Sequence, residues 1–116
     1  MTDVVTDAER VKERPASVGR MFLDRVEATP TGEAFRYPVD DGWESLSWEE
    51  TRDRVWAISA GLLSLGVEAE QRVAIASSTR IEWVLADLGI MCAGAATTTI
   101  YPSTTPDDVT YILSDS

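Results

Sequence analysis

The sequence has 116 residues, with 20 acidic and 10 basic side chains and a formal net charge of -10 at pH 7. This length fits one domain or part of one. The charge argues against nucleic-acid binding and against electrostatic docking on anionic lipid, because both need a basic surface. The chain has no His, so Ser-His-Asp and Cys-His catalysis within it are excluded.

The two ends of the chain differ in composition. Residues 1–15 are polar and charged and end in Pro15, which predicts a flexible N-terminal arm. Residues 16–116 are expected to form one partial subdomain. The start lacks a basic segment followed by an apolar run, so no signal peptide is expected. The most apolar stretch, residues 83–96, is shorter than the roughly 20 residues of a membrane span, so no transmembrane segment is expected.

The first predicted elements are a helix and a hairpin. Ser17 precedes apolar residues at helical spacing, which predicts a helix over 18–28, and Pro30 follows its end. Two short aromatic-bearing runs then flank Asp41-Gly42, a pair typical of a β-hairpin turn.

The clearest helix follows the hairpin. Ser47 and Glu50 have the spacing of a capping box, and Gly66 stands where a helix end favours a left-handed residue. Between them, apolar or small residues recur every three or four positions and predict one buried face; they are Trp48, Thr51, Val55, Ile58, Leu62 and Leu65.

The second half alternates strand and helix. Residues 72–77 and 95–101 have strand character, and the segment 80–93 between them has a helical apolar pattern ending at Gly94. Strand, helix and strand over this length predict a right-handed parallel βαβ unit. Thr105 and Pro106 then begin another helix. The expected fold class is therefore α/β: an N-terminal helix, a β-hairpin and a βαβα piece whose incomplete sheet suggests that the natural protein continues.

Two hydroxyl-rich segments are candidate anion sites. Ser77 to Arg80 lies between a strand and a helix, where backbone donors can hold an anion, although we favour Ser78 or Thr79 as a simple helix cap. Residues 97–106 are rich in Thr but lack the Gly and Lys of phosphate loops, which favours a strand and its turn. No glycine-rich nucleotide fingerprint is present.

Two other features suggest chemistry less strongly. The carboxylates Glu49, Glu50 and Asp53 could in principle divide acid and base roles. Their place on the polar face of a helix, with Arg54 one turn after Glu50, favours a solvated surface. The single cysteine, Cys92, lies in an apolar stretch and is expected to be a small buried hydrophobe.

Three segments resemble the N-terminal part of bacterial long-chain fatty acid–CoA ligases, which are adenylate-forming, AMP-binding enzymes. They are Leu46-Ser-Trp-Glu-Glu-Thr leading into residues 60–67, the strand and helix opening at 72–83, and residues 87–95 with Ile100-Tyr-Pro-Ser-Thr and Tyr111-Ile-Leu-Ser-Asp-Ser. The resemblance covers about 100 residues. At matching positions it implies structural roles, with Gly66 and Gly94 at helix ends and Trp48 and Trp83 in packing.

The resemblance implies a reaction in two halves. Mg-ATP and a fatty carboxylate give an acyl-adenylate and pyrophosphate, and coenzyme A then displaces AMP to give acyl-CoA. The family's Pro-Lys-Gly phosphate loop and Tyr-Gly-x-Thr-Glu motif are absent, and no Lys follows Lys12. No catalytic, cofactor-binding or metal-binding residue is therefore assigned. ATP, Mg²⁺ and coenzyme A are expected to serve the parent enzyme, while this chain alone is expected to be inactive and to bind them poorly.

The sequence leaves several alternatives open. The parent could be another acid–thiol ligase or an adenylation domain, because the pocket that selects the acid would lie beyond Ser116. The chain could instead be a non-catalytic interaction module that forms a homodimer through an open sheet edge. A doubly wound nucleotide-binding domain is less favoured without its glycine fingerprint. For the ligase, the expected partner is a long-chain fatty acid, and the expected compartment is the cytoplasm with peripheral membrane contact.

Overall fold

The computed structural model describes residues 8–116. Its helices are α1 (Ala8–Lys12), α2 (Val18–Ala28), α3 (Trp48–Ser64), α4 (Ile81–Cys92) and α5 (Pro106–Asp115), and its strands are β1 (Glu33–Val39), β2 (Gly42–Ser47), β3 (Arg72–Ala76) and β4 (Ala96–Ile100). The predicted N-terminal arm includes α1, which has no buried residue. Residues 1–7 lie outside the described part, so the flexibility of the arm stays a prediction.

Helix α2 and the hairpin confirm the sequence pattern. The Ser17 hydroxyl accepts a hydrogen bond from the Arg20 amide at 3.0 Å, which caps α2. Strands β1 and β2 pair antiparallel, with Val39 opposite Gly42. Gly42 has φ +148°, a conformation that side-chain-bearing residues rarely adopt. The Asp-Gly prediction therefore located the turn.

Helix α3 begins and ends as its sequence predicts. The Ser47 hydroxyl accepts from the Glu50 amide at 3.1 Å, and the Glu50 carboxylate accepts from the Ser47 amide at 3.0 Å. At the other end Gly66 has φ +94°, and the Val67 amide donates to the Leu62 carbonyl at 3.1 Å, as in a Schellman end. The expected burial of Leu65 was wrong: it is 82% exposed because it lies at the helix C-cap, past the last packed turn.

The βαβ unit forms with the predicted parallel pairing and with one correction, while its right-handed crossover stays a prediction. β3 and β4 pair in parallel, from Arg72 beside Ala96 to Ala76 beside Ile100, and Gly94 ends α4 with φ +82°. The N-cap of α4, however, is Arg80, whose side chain makes no cap hydrogen bond. The expectation that Ser78 or Thr79 caps this helix was therefore wrong.

The core lies where α2, α3 and α4 meet the hairpin. One cluster of buried side chains joins these elements; its members are Phe22, Val26, Leu46, Val55 and Leu85. Helices α3 and α4 approach closely at Gly89, whose carbonyl accepts a 2.6 Å hydrogen bond from the buried Ser59 hydroxyl. Apolar burial on α2, α3 and α4 holds the hairpin and the βαβ unit together.

The two sheets have two strands each. Parallel sheets occur almost only with both faces covered, and here α4 packs on β3 and β4. Helix α5 follows β4 with no buried residue. The architecture is the expected α/β piece with an incomplete sheet.

Candidate functional site

The two hydroxyl-rich segments meet at one edge of the parallel sheet. Ala76 lies beside Ile100 at the carboxyl ends of β3 and β4. Residues 77–80 and 101–105 continue from these neighbouring ends, so the register brings together two segments that are distant in sequence. Ligands of open α/β sheets bind beyond the carboxyl ends of the strands. This edge is therefore the candidate site.

A cleft of about 400 Å³ opens beside this edge. The hairpin forms one wall with residues 37–40, and the start of α4 forms the other with residues 79–82. Sequence reasoning did not identify the hairpin wall, because no local pattern shows that β1 reaches α4. The cleft is mixed in character, with Val39 and Ile81 beside Asp40 and Arg80.

The main charges in the cleft neutralise each other. Arg80 donates two hydrogen bonds to the Glu82 carboxylate, at 2.7 and 3.1 Å. The hydrogen bonds with Glu82 raise the pKa of Arg80, and those with Arg80 lower the pKa of Glu82. Because the guanidinium already has an anionic partner, an incoming phosphate would compete with Glu82 for it.

The hydroxyl groups at the edge make local contacts. Ser77 donates to the Ser78 carbonyl at 3.0 Å, and the Thr105 hydroxyl accepts from the Asp108 amide at 3.4 Å and caps α5. Thr97 Oγ1 is buried and has no hydrogen-bond partner within residues 8–116. These contacts fit the predicted strand, turn and cap better than a phosphate loop.

A tyrosine–glutamate pair lies on the hairpin next to the cleft. Tyr37 donates a 3.0 Å hydrogen bond to the Glu44 carboxylate across the two strands. This hydrogen bond is the main reason that the pKa of Tyr37 is raised, while the nearby Arg54 opposes the shift. The phenol is thus the hydrogen-bond donor of this pair.

The carboxylates at the start of α3 have structural roles. Glu50 closes the capping box, and its hydrogen bonds with Ser47 lower the pKa of the Glu50 carboxyl. Asp53 accepts a 3.0 Å hydrogen bond from Arg52. Arg54 contributes a smaller lowering of the Glu50 pKa. These contacts support the interpretation that Glu49, Glu50 and Asp53 lie on a solvated helix surface. They do not indicate that two of these carboxylates divide acid and base roles.

Cys92 is half-buried at the end of α4, near Gly19 of α2. Burial raises the pKa of its thiol, which disfavours the reactive thiolate. Cys92 packs against the core cluster as a small apolar side chain, as expected, but it is only partly buried.

Two observations on the described residues concern the cofactors of the implied reaction. Residues 8–116 contain no group of three His, Cys, Asp or Glu side chains placed to hold a metal ion. The cleft's one guanidinium, Arg80, is already paired with Glu82, so no reaction step is assigned to these residues. Within the same range, no helix combines the length and apolar character needed to cross a membrane.

Comparisons with known proteins agree on the family. The sequence model of the AMP-binding enzyme family matches residues 22–116. The long-chain-fatty-acid–CoA ligase FadD15 of Mycobacterium bovis is 33% identical over 100 residues, which cover 86% of this chain and 17% of that protein. The ligase named heimdall of Drosophila melanogaster is 36% identical over 74 residues, which cover 64% of this chain and 11% of that protein. The chain thus spans about one sixth of the length of the first of these relatives.

The fold also has solved counterparts. A fatty acid AMP ligase from Legionella pneumophila superposes with a TM-score of 0.79 at 21% identity, covering 97% of this chain and 20% of that one. At this identity the likeness shows the fold alone. It confirms the expected fold class. The family model that matches residues 22–116 shows the family: the chain belongs to the AMP-binding enzyme family.

Proposed function

We propose that this chain is the N-terminal part of a long-chain fatty acid–CoA ligase. The observation that carries the proposal is the 33% identity over 100 residues with a protein named as such a ligase. The motifs of residues 80–83 and 100–102, which favour the long-chain subgroup, lie at the N-cap and first turn of α4 and at the last residue of β4 with the two residues after it. The chain therefore contributes the carboxyl edge described above to a larger enzyme.

The proposed reaction of that larger enzyme explains why two steps are needed. A carboxylate is a poor acyl donor, so its oxygen first attacks the α-phosphate of ATP and releases pyrophosphate. The sulfur of coenzyme A then attacks the acyl carbon and AMP leaves with the bonding electron pair. ATP, Mg²⁺ and coenzyme A belong to the whole enzyme in this proposal, and the proposed compartment is the cytoplasm, where these compounds are available.

Within that enzyme, we assign this chain a structural part. Two side-chain pairs involve residues that line the candidate cleft: Arg80 pairs with Glu82, and Tyr37 with Glu44. We assign none of them a role as nucleophile, general base or metal ligand. The 116-residue chain alone is accordingly expected to catalyse neither half-reaction.

An ATP–pyrophosphate exchange assay tests both parts of the proposal. The 116-residue chain should give no exchange with palmitate above a mock purification. The product of the complete reading frame should give strong exchange with palmitate and weak exchange with acetate, benzoate or amino acids. Exchange by the short chain would contradict its structural role.

The same assay separates the alternatives. A preference for an amino acid or a short acid would point to an adenylation domain or another acid–thiol ligase. A stop codon directly after Ser116 would favour a non-catalytic interaction module. Homodimerisation then stays a prediction that analytical ultracentrifugation checks: a single monomer mass over a wide concentration range would contradict it.

A further inference from the structure

The tip of the hairpin holds the one Asp-Gly pair of the sequence, Asp41-Gly42. Residues 38–45 are all exposed, and a Cβ built on Gly42 would meet no atom within 4 Å. Gly42 also has φ +148°, a backbone conformation that favours glycine. The pair therefore lies in open solvent, and no side chain on its second residue covers the main chain.

An aspartate that precedes glycine can rearrange without an enzyme. The Gly42 nitrogen attacks Cγ of the Asp41 carboxylic acid and forms a C–N bond. The carboxyl hydroxyl leaves with its bonding electron pair and takes the amide proton, so one water is released and a succinimide ring remains. Water then opens the ring. Attack at Cγ restores aspartate, whereas attack at the main-chain carbonyl carbon of Asp41 gives isoaspartate.

The Gly42 amide lies far from the packed end of the hairpin. Val39 and Gly42 form the last pair of the ladder, next to the two turn residues. At the other end Phe35 pairs with Leu46, which is buried in the core. Exposed ends of secondary structure open at a small cost in free energy. The tip can therefore open and free the Gly42 nitrogen while the pair of Phe35 and Leu46 stays closed.

Other aspartates of the chain are held differently. Asp24, Asp53 and Asp87 lie inside α2, α3 and α4, where the next amide donates to a carbonyl one turn earlier. Asp40 shares the exposed turn, but the residue after it, Asp41, carries a side chain that shields the attacking nitrogen. The sequence has no Asn, so deamidation of Asn cannot produce isoaspartate here. These differences single out Asp41.

We infer that Asp41 is a modification site, at which local opening of the hairpin tip allows spontaneous isomerisation to isoaspartate. The product carries one extra main-chain atom, because the chain then runs through Cβ and Cγ of residue 41. Val39 and Asp40, directly before it, line the candidate cleft, so isomerisation changes the hairpin wall of that cleft. The inference concerns the chain itself and does not depend on the proposed ligase reaction.

Peptide mapping of the purified 116-residue chain, incubated at neutral pH and physiological temperature, provides the test. Trypsin cleaves after Arg36 and Arg52 and releases residues 37–52 as one peptide. Electron-transfer fragmentation distinguishes isoaspartate from aspartate and locates it within that peptide. Isoaspartate should accumulate with time at position 41 and stay at background at Asp40, Asp24 and Asp87. Equal accumulation at all four positions would overturn the inference.

Matched variants test the assignment to Asp41. Asp41→Glu keeps the charge in the exposed turn but requires a less favourable six-membered ring, so the isomerised form of peptide 37–52 should disappear. Asp40→Glu makes the same change one residue earlier and should leave the rate at Asp41 unchanged. As much isomerised peptide in Asp41→Glu as in the parent chain would place the reaction at another residue.

A comparison of rates tests the local opening. The folded chain should isomerise no more than about tenfold more slowly than the chain unfolded in urea, because opening the tip costs little free energy. Ser59→Ala removes the buried hydrogen bond between α3 and α4 and should leave the rate unchanged. A larger protection in the folded chain, or a faster rate in Ser59→Ala, would show that the reaction requires unfolding of the core and would overturn the inference.

Discussion

Ser59 and Gly89 join α3 to α4 through a buried 2.6 Å hydrogen bond from the serine hydroxyl to the glycine carbonyl. The bond forms at the place where the two helices are closest: a Cβ added to Gly89 would lie 2.5 Å from Ile58 Cγ2. A small residue on one helix and a hydroxyl on the other therefore fix the spacing of the pair.

Gly89→Ala should destabilise the chain by about 1–3 kcal/mol, because the new methyl group overlaps Ile58 on two of its atoms. Urea unfolding followed by circular dichroism measures this change. Gly61→Ala is the matched control, since nothing lies within 4 Å of a Cβ there. It should stabilise α3 by up to about 1 kcal/mol. Equal effects of the two substitutions would refute the close approach.

Ser59→Ala should cost about 1 kcal/mol, the typical net value of a buried hydrogen bond. The loss stays moderate because the Gly89 carbonyl keeps its bond from the Ala93 amide. Ser64→Ala removes an exposed hydroxyl that bonds within its own helix and should change the free energy of unfolding by less than about 0.5 kcal/mol. A cost for Ser64 as large as that for Ser59 would contradict the interhelical role.

The capping box makes the free energy of unfolding depend on pH, and the direction of that dependence can be stated. Hydrogen bonds with Ser47 lower the pKa of Glu50 from its ordinary value of 4.5. A depressed pKa means that the ionised carboxylate stabilises the fold above the unfolded-state pKa. That contribution is lost as the pH falls below 4.5 and through the folded-state pKa.

Glu50→Gln should therefore lower the free energy of unfolding at pH 7 and have little effect at pH 3, as urea titrations at both values would show. Glu49→Gln removes a charge from the same helical turn without removing the bond to the Ser47 amide, and should have the smaller pH-dependent effect. A Glu50→Gln penalty that is the same at both pH values would contradict the assignment to the ionised carboxylate.

Cys92 should react slowly with a disulfide reagent such as dithionitrobenzoate. Burial raises the pKa of its thiol, and only the thiolate attacks. Reaction at pH 8 should become much faster in concentrated urea, where the side chain is exposed. Reaction of the folded chain as fast as that of the unfolded chain would show that α2 does not cover the end of α4.

Short sequence patterns predicted the turn and the helix caps, because these features depend on contacts between residues that are close in sequence. Asp41-Gly42 located the hairpin turn, and Ser17, Ser47 and Thr105 each cap the helix that they precede. These are contacts between residues a few positions apart. The order β3, α4, β4 predicted that the two strands pair in parallel, because parallel strands need a crossover segment between them.

Tertiary packing explains what the sequence did not reveal. The helical pattern includes Leu65 and omits Ser59, yet Leu65 is exposed and Ser59 is buried, because only the partner helix decides which turns are covered. Arg80, with no favoured capping side chain, occupies the N-cap of α4 while pairing with Glu82. The candidate cleft needed the hairpin placed beside α4, which no local pattern encodes.

Gly19 of α2 lies against Met91 and Cys92 at the far end of α4; a Cβ on this glycine would lie 3.4 Å from the Met91 carbonyl oxygen. During synthesis, α2 therefore leaves the ribosome before the part of α4 against which it packs has been made. Phe22 and Val26 of α2 are buried in the complete fold. Their side chains stay exposed to solvent until the hairpin, α3 and α4 have been synthesised. Transiently exposed apolar surface of this kind makes an incomplete chain prone to aggregation.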